Sequence, residues 1–136
     1  MKLETGNLTL STGELAHFEY EPESDLLEIV FRQGEATYAV ALTDSIILRF
    51  DWETAAPLSL SLVSVSKLMQ PAEYGQMYFE LSVDEWPEQS LEKIWSMLRE
   101  PPLTDFLRLA SYAPAHTYQV IPLATLKQSP LIVHAA

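Results

Sequence analysis

The chain has 136 residues, 48% of them apolar, no cysteine, and a formal charge of −11. A chain of this length buries roughly two thirds of its unfolded surface, so it reads as one domain, residues 1–136, that folds without metal or disulfide. The missing cysteines exclude disulfides, Cys-ligated zinc, iron–sulfur clusters and thiol nucleophiles. The acidic balance argues against nucleic acid, whose binding depends on Lys and Arg neutralising phosphates. Eleven of the acids lie in residues 1–66 against Lys2, Arg32 and Arg49, a local charge of −8. Such a surface steers basic partners inward, or serves only solubility. The first residues lack the apolar core of a signal peptide, and no apolar run reaches membrane-spanning length. A soluble, cytoplasmic protein with no membrane contact is expected.

In chain order, Asn7–Ser11 reads as a short leading strand. His17–Tyr20 follows as a clearer one, with Phe18 and Tyr20 on one face at period two. Glu21-Pro22-Glu23-Ser24-Asp25 is turn chemistry: proline pre-sets φ, and Ser24 and Asp25 can bond the local backbone. Leu27, Ile29 and Phe31 make the next apolar face, with Glu28 and Arg32 opposite. Gln33-Gly34 reads as a tight hairpin turn. Tyr38, Val40 and Leu42 continue the face, Thr43-Asp44-Ser45 turns again, and Ile46, Leu48 and Phe50 carry a further strand. After the loop Asp51–Pro57, Leu58, Leu60 and Leu62 alternate with Ser59 and Ser61. The phase slips at Leu62-Val63, which predicts a β-bulge or a strand buried on both faces.

The second half changes character near Gln70-Pro71. Met77, Phe79 and Leu81 predict a strand after a Gly75 turn. Asp84-Glu85-Trp86-Pro87 is a helix-start signal, with acids at the positive end of the dipole and proline in the first turn. Leu91, Ile94, Trp95 and Leu98 then fall on one helical stripe. Pro101-Pro102 ends it, and Thr104 or Asp105 is placed to cap a second helix with Phe106, Leu107 and Ala110 inward. Extended chain is predicted over Tyr118–Pro122, then a turn or short helix at Leu123–Lys127. Leu131-Ile132-Val133 reads as an edge strand or a subunit contact. The predicted fold class is α+β: an antiparallel β-meander with two short helices packed on one face. Residues 68–136 supply a strand and a helical extension that complete the same core.

Tyr20–Ile29, followed by Asp44–Asp51, resembles the bacterial DUF2283 family over about residues 16–67. The shared pattern is a strand, an aromatic-acid-Pro turn, a D-x-L strand, an acidic turn and an I-x-x-D strand. Ser45 stands where the family usually has glycine, Arg49 where an acid is common, and the Trp52–Pro57 loop lacks the usual glycine. The resemblance implies no catalytic residues. It does imply a hypothesis, since some members are thought to partner small toxin proteins: an antitoxin-like binding role.

No constellation for catalysis stands out. His17, His116 and His134 lack metal-ligand spacing, there is no G-x-S-x-G elbow for a nucleophilic serine, and Gly6, Gly13, Gly34 and Gly75 are too isolated to cradle a phosphate. No metal or cofactor is implied. Glu19, Glu21, Glu23 and Asp25 cluster at one turn, where a solvated acidic rim is the simpler reading than acid–base work or cation binding. Trp95 belongs to the helix stripe. Trp52 and Trp86 sit in loops beside acids, where each either anchors a basic or proline-bearing partner or folds back as a staple.

The leading expectation is a non-enzymatic protein-interaction module that self-associates or binds a small basic protein. Trp52, Trp86, Asp51 and Glu53 are its candidate contacts. The competing class is an enzyme or small-molecule binder with a pocket between helices and sheet, drawing on His17, Glu19, Asp51 and Tyr118. A DNA mimic draws on the charge alone. Because an open meander leaves unpaired backbone at its ends, and no proline guards the first strand, a homodimer is expected.

Overall fold

A computed structural model describes residues 3–68, 78–113 and 120–127. Six antiparallel strands make the larger sheet: β1 (Glu4–Thr9), β2 (Leu15–Glu21), β3 (Leu26–Val30), β4 (Tyr38–Thr43), β5 (Ile46–Asp51) and β6 (Ala56–Val63). Strict alternation explains their orientation. Leu27 and Ile29 on β3, Leu48 and Phe50 on β5, and Leu60 and Leu62 on β6 are fully buried on one face. Phe18 and Tyr20 stand opposite Ile29 and Leu27 on that same face. The other face carries His17, Glu19, Glu28, Ser59, Ser61, Ile47 and Arg49, with Arg49 Nη1 donating to Ser61 Oγ at 2.8 Å.

The strand order is β1-β2-β3-β6-β5-β4, so the sheet is two three-stranded meanders joined at a β3–β6 seam. This corrects the expected sequential meander. Gln33-Gly34 is not a hairpin turn, because β3 and β4 are not neighbours. The link between Val30 and Tyr38 is longer than a two-residue hairpin loop, and it carries the chain from the middle of the sheet to its far edge. Along the way the Phe31 N–H donates to the Leu58 carbonyl at 2.8 Å, extending the seam.

No bulge lies at Leu62-Val63; β6 is the strand buried on both faces, from Leu58 to Leu62, and it ends at Val63. Ser64 adopts a left-handed φ of 55°, and the chain enters α1 (Val65–Leu68), which returns Val65 and Leu68 to the core.

One face of the large sheet is covered by α2 (Leu91–Leu98) and a small antiparallel sheet of β7 (Phe79–Glu80), β8 (Leu107–Tyr112) and β9 (Ile121–Leu126), in the order β7-β9-β8. α2 follows the expected stripe, burying Ile94, Met97 and Leu98. It starts later than the acid-Pro signal, after short 3-10 turns at Val83–Glu85 and Glu88–Ser90. The expected second helix is absent. Thr104 and Asp105 close a 3-10 turn, Leu103–Asp105, and the chain then extends as β8. Leu123–Lys127, expected as a turn or helix, is mostly β9, the middle strand of the small sheet. Leu107 and Leu109 face Leu126 and Ala124 across it at period two. Phe31 and Phe106, with ring centroids 5.8 Å apart, tie the two sheets, and one cluster of buried side chains runs from Leu10 to Leu126. The Gly75 turn, Met77, His116, Tyr118, His134 and Leu131–Val133 lie outside the described residues.

Candidate functional site

The two edges of the large sheet are finished differently. At the β4 edge, the Ser82 N–H donates to the Leu42 carbonyl at 2.8 Å, and Trp86 Nε1–H donates to the Ala41 carbonyl at 2.8 Å. Trp86 itself is buried, its ring meeting Trp95 edge-on at 5.6 Å. A strand edge is a row of unpaired donors and acceptors, and a covered edge cannot recruit another chain. The segment from Ser82 to Trp86 therefore caps β4.

β1 has no such cap. Its inner side pairs with β2 from Glu4↔Tyr20 to Thr9↔Leu15, and among the described residues no strand pairs with its outer side. Its side chains alternate between half-buried and exposed, and none is proline or lysine. Leu3, just before β1, is 49% exposed, and Leu15, the first residue of β2, is 68% exposed. Gly6 makes room for the Phe18 ring rather than for a turn. A Cβ there would lie 2.7 Å from the Phe18 ring, which crosses the strand at that point.

The other candidate contacts sit at the opposite side. Trp52 is folded back, its ring 5.0 Å from Tyr38 and 6.3 Å from Phe50, and Lys93 Nζ stands 4.9 Å from the ring. Its N–H donates to Thr37 Oγ1 at 2.8 Å. Asp51 Oδ1 accepts the Glu53 N–H at 3.0 Å, a local turn that leaves Glu53 exposed. For both tryptophans the fold-back arrangement is the one observed. Trp86 has no free face, and Trp52 keeps part of its ring at the surface.

His17 and Glu19 are neighbours on the outer face of β2. His17 Nε2 lies 3.7 Å from Glu19 Oε1, and Nδ1 lies 3.2 Å from Asn7 Oδ1. Both side chains are nearly half exposed, and Asp51 is three strands away. The structure thus brings His17 to Glu19 but not to Asp51, and places both on the side away from α2. Among the described residues no group of three His, Asp or Glu side chains is placed to hold a metal ion, and no helix is long and apolar enough to cross a membrane.

Asp25 behaves unlike its acidic neighbours. It has a left-handed φ of 55°, a conformation Asp tolerates better than most residues. Its carboxylate accepts the Tyr20 hydroxyl at 3.0 Å, the Ser66 N–H at 3.2 Å and the Ser66 hydroxyl. Its carbonyl accepts the Val65 N–H at 3.1 Å. Burial, and then the bond to Asp25, hold the Tyr20 hydroxyl pKa above its ordinary 10.0. Asp25 precedes β3 and Ser66 follows β6, so this network fastens one end of the seam.

Open clefts complete the surface. One, of about 600 Å³, runs along the exposed side of α2 past Leu91, Trp95 and Arg99. A second, of about 280 Å³, lies between the end of α2 and β8. A third, of about 140 Å³, lies beside Phe31, Pro57 and Pro101. His17, Glu19 and Asp51 line none of these three.

No family model, curated protein or solved structure matches this chain. The DUF2283 resemblance of residues 16–67 therefore rests on the sequence pattern alone.

Two features escaped sequence reasoning. The Asp25–Ser66 network joins residues 41 positions apart, and only the turn chemistry of Ser24-Asp25 hinted at an unusual backbone. The capping of β4 needed the register of Trp86 against Ala41, which no local pattern encodes.

Proposed function

We propose that this chain is a non-enzymatic protein-interaction module whose docking element is the free edge of β1, and that the occupant is a second copy of the chain. The observation that carries this reading is the asymmetry of the large sheet: β4 is capped by Ser82 and Trp86, whereas among the described residues no strand pairs with the outer side of β1. Edge-to-edge pairing of two antiparallel β1 strands about Gly6-Asn7 satisfies both rows of backbone groups through one self-complementary patch. It also brings the exposed Leu3, just before β1, toward the partner. The charge does not forbid it, because β1 carries one acid, Glu4.

The test is multi-angle light scattering across a concentration series, with wild type beside Thr5→Lys/Asn7→Lys. Both residues are exposed on the outer face, so the change spares the core while crowding four lysines at the two-fold axis. A wild-type dimer and a monomeric variant are expected. A wild-type monomer at high micromolar concentration, or a dimer indifferent to the lysines, would overturn the reading.

A basic partner is the second reading. What favours it is the acidic border of the same edge, where Glu19 and Glu21 lie on the neighbouring β2 and Glu14 just before it. A wild-type monomer that binds a small basic protein stoichiometrically, with that binding lost in the Thr5→Lys/Asn7→Lys variant, would move the proposal to this antitoxin-like form.

A further inference from the structure

The cleft between the end of α2 and the small sheet is built unlike the rest of this acidic surface. Leu107, Arg108 and Leu109 all line it. Successive side chains of a strand point to opposite faces, so a cleft touched by three in a row meets the backbone of the strand as well as its side chains. β8 is an outer strand of its sheet, and among the described residues nothing pairs with its free side. The wall opposite is Leu98 and Arg99 at the end of α2, with Thr104 between. Buried Leu98 and Leu107 supply an apolar floor.

The charge is the second observation. Arg99, Arg108 and Lys127, three of the chain's eight Lys and Arg residues, converge on this cleft. None of these three cations takes part in the ion pairs Arg32–Glu14 and His17–Glu19. The Arg99 guanidinium stacks 5.6 Å from the Trp95 ring, which holds its arm at the rim. At about 280 Å³ the cleft falls just below the roughly 300–1,000 Å³ of small-molecule pockets, and it is open along its length. A strand-lined, cation-rimmed groove of this shape suits an extended backbone better than a compact ligand.

We propose that the groove between α2 and the free edge of β8 binds an acidic, extended peptide segment, which adds to β8 as a strand and sets its carboxylates against Arg99, Arg108 and Lys127. Backbone pairing supplies affinity, and the three cations select an acidic sequence over a basic one. This site is separate from the β1 edge and does not depend on it.

Fluorescence anisotropy at low ionic strength tests it, with a short labelled peptide of alternating glutamate and valine as the probe. Saturable binding is expected, weakened about tenfold or more by Arg108→Glu or Lys127→Glu, the loss of about one good charge pair. The milder Arg108→Gln, with an unchanged thermal melt, guards against misfolding. A peptide of the same charge, N-methylated at alternate residues on its pairing edge, is expected not to bind, and Thr5→Lys/Asn7→Lys is expected to bind as wild type does. Equal binding of the N-methylated peptide, or full competition by free glutamate or inorganic phosphate, would reduce the groove to a simple anion trap and overturn the proposal. So would failure of the probe to bind at all.

Discussion

Asp25 offers the sharpest test of how this fold is held, because its backbone and its carboxylate do separable work. Replacing it with alanine removes the acceptor of the Tyr20 hydroxyl, the Ser66 N–H and the Ser66 hydroxyl. A hydrogen bond to a charged group is worth about 1.5–3 kcal/mol net, and partial exposure puts these at the lower end. Because they share one acceptor, a combined loss of about 3 kcal/mol is the reasonable figure. Alanine also meets the left-handed φ of 55° without the local bonding that eases it for Asp, at about 1 kcal/mol more. Asp25→Ala is therefore expected to cost about 4 kcal/mol. Asp25→Gly relieves the backbone but loses the carboxylate and loosens the unfolded chain, for about 3 kcal/mol. Asp25→Asn keeps the turn and one acceptor oxygen, and is expected to lose about 1.5 kcal/mol. Urea unfolding followed by tryptophan fluorescence measures all three. The order Ala, Gly, Asn is the signature. Three variants within about 1 kcal/mol of wild type, or asparagine the worst of them, would refute the reasoning.

Two further outcomes follow from bonds already described. The Tyr20 hydroxyl has its pKa raised in the folded state above the ordinary 10.0, so the folded chain holds that proton more tightly than the unfolded one. Stability from this group is complete below pH 10.0 and lost as pH rises through the higher folded value. Denaturation midpoints between neutral and strongly alkaline pH should fall more steeply for wild type than for Tyr20→Phe, which also loses about 1 kcal/mol at neutral pH. Trp86→Phe keeps most of the buried ring but removes the donor to the Ala41 carbonyl, at a cost of about 1 kcal/mol. Hydrogen exchange of the β4 amides should quicken in that variant while β2 is unchanged; equal rates in both would count against Trp86 as the cap of that edge.

The legible part of this protein was its alternation. Leu58, Leu60 and Leu62 against Ser59 and Ser61, like Ile46, Leu48 and Phe50, can bury one set of side chains only as strands. Which strand lies beside which was not legible, because the β3–β6 pairing depends on where the Phe31–Thr37 link goes rather than on any local pattern. Phe106, Leu107 and Ala110 satisfied a helical stripe as well as Leu107 and Leu109 satisfied a strand. β9 decided between them by offering a pairing partner. At the candidate site, the leading strand was expected at Asn7–Ser11 with no proline inside it, and β1 lies at Glu4–Thr9. The tryptophans could not be placed, since a loop indole flanked by acids suits a partner and a fold-back equally until its neighbours are known.

The seam between the two meanders also shapes how the chain reaches its fold. Every hairpin on either side closes over a short loop, whereas Leu26↔Val63 brings together residues far apart in sequence. Chain entropy makes such a distant closure slow, so β1-β2-β3 and β4-β5-β6 are expected to form as separate local units, with β3 meeting β6 late. Until then each unit exposes a strand whose complement exists on every other copy. At high concentration β3 of one molecule can take β6 of another, with the Phe31–Thr37 link as the hinge, and exchange halves into a swapped pair. The Asp25–Ser66 fastening then gains a kinetic meaning: it holds the end of the seam shut against that exchange.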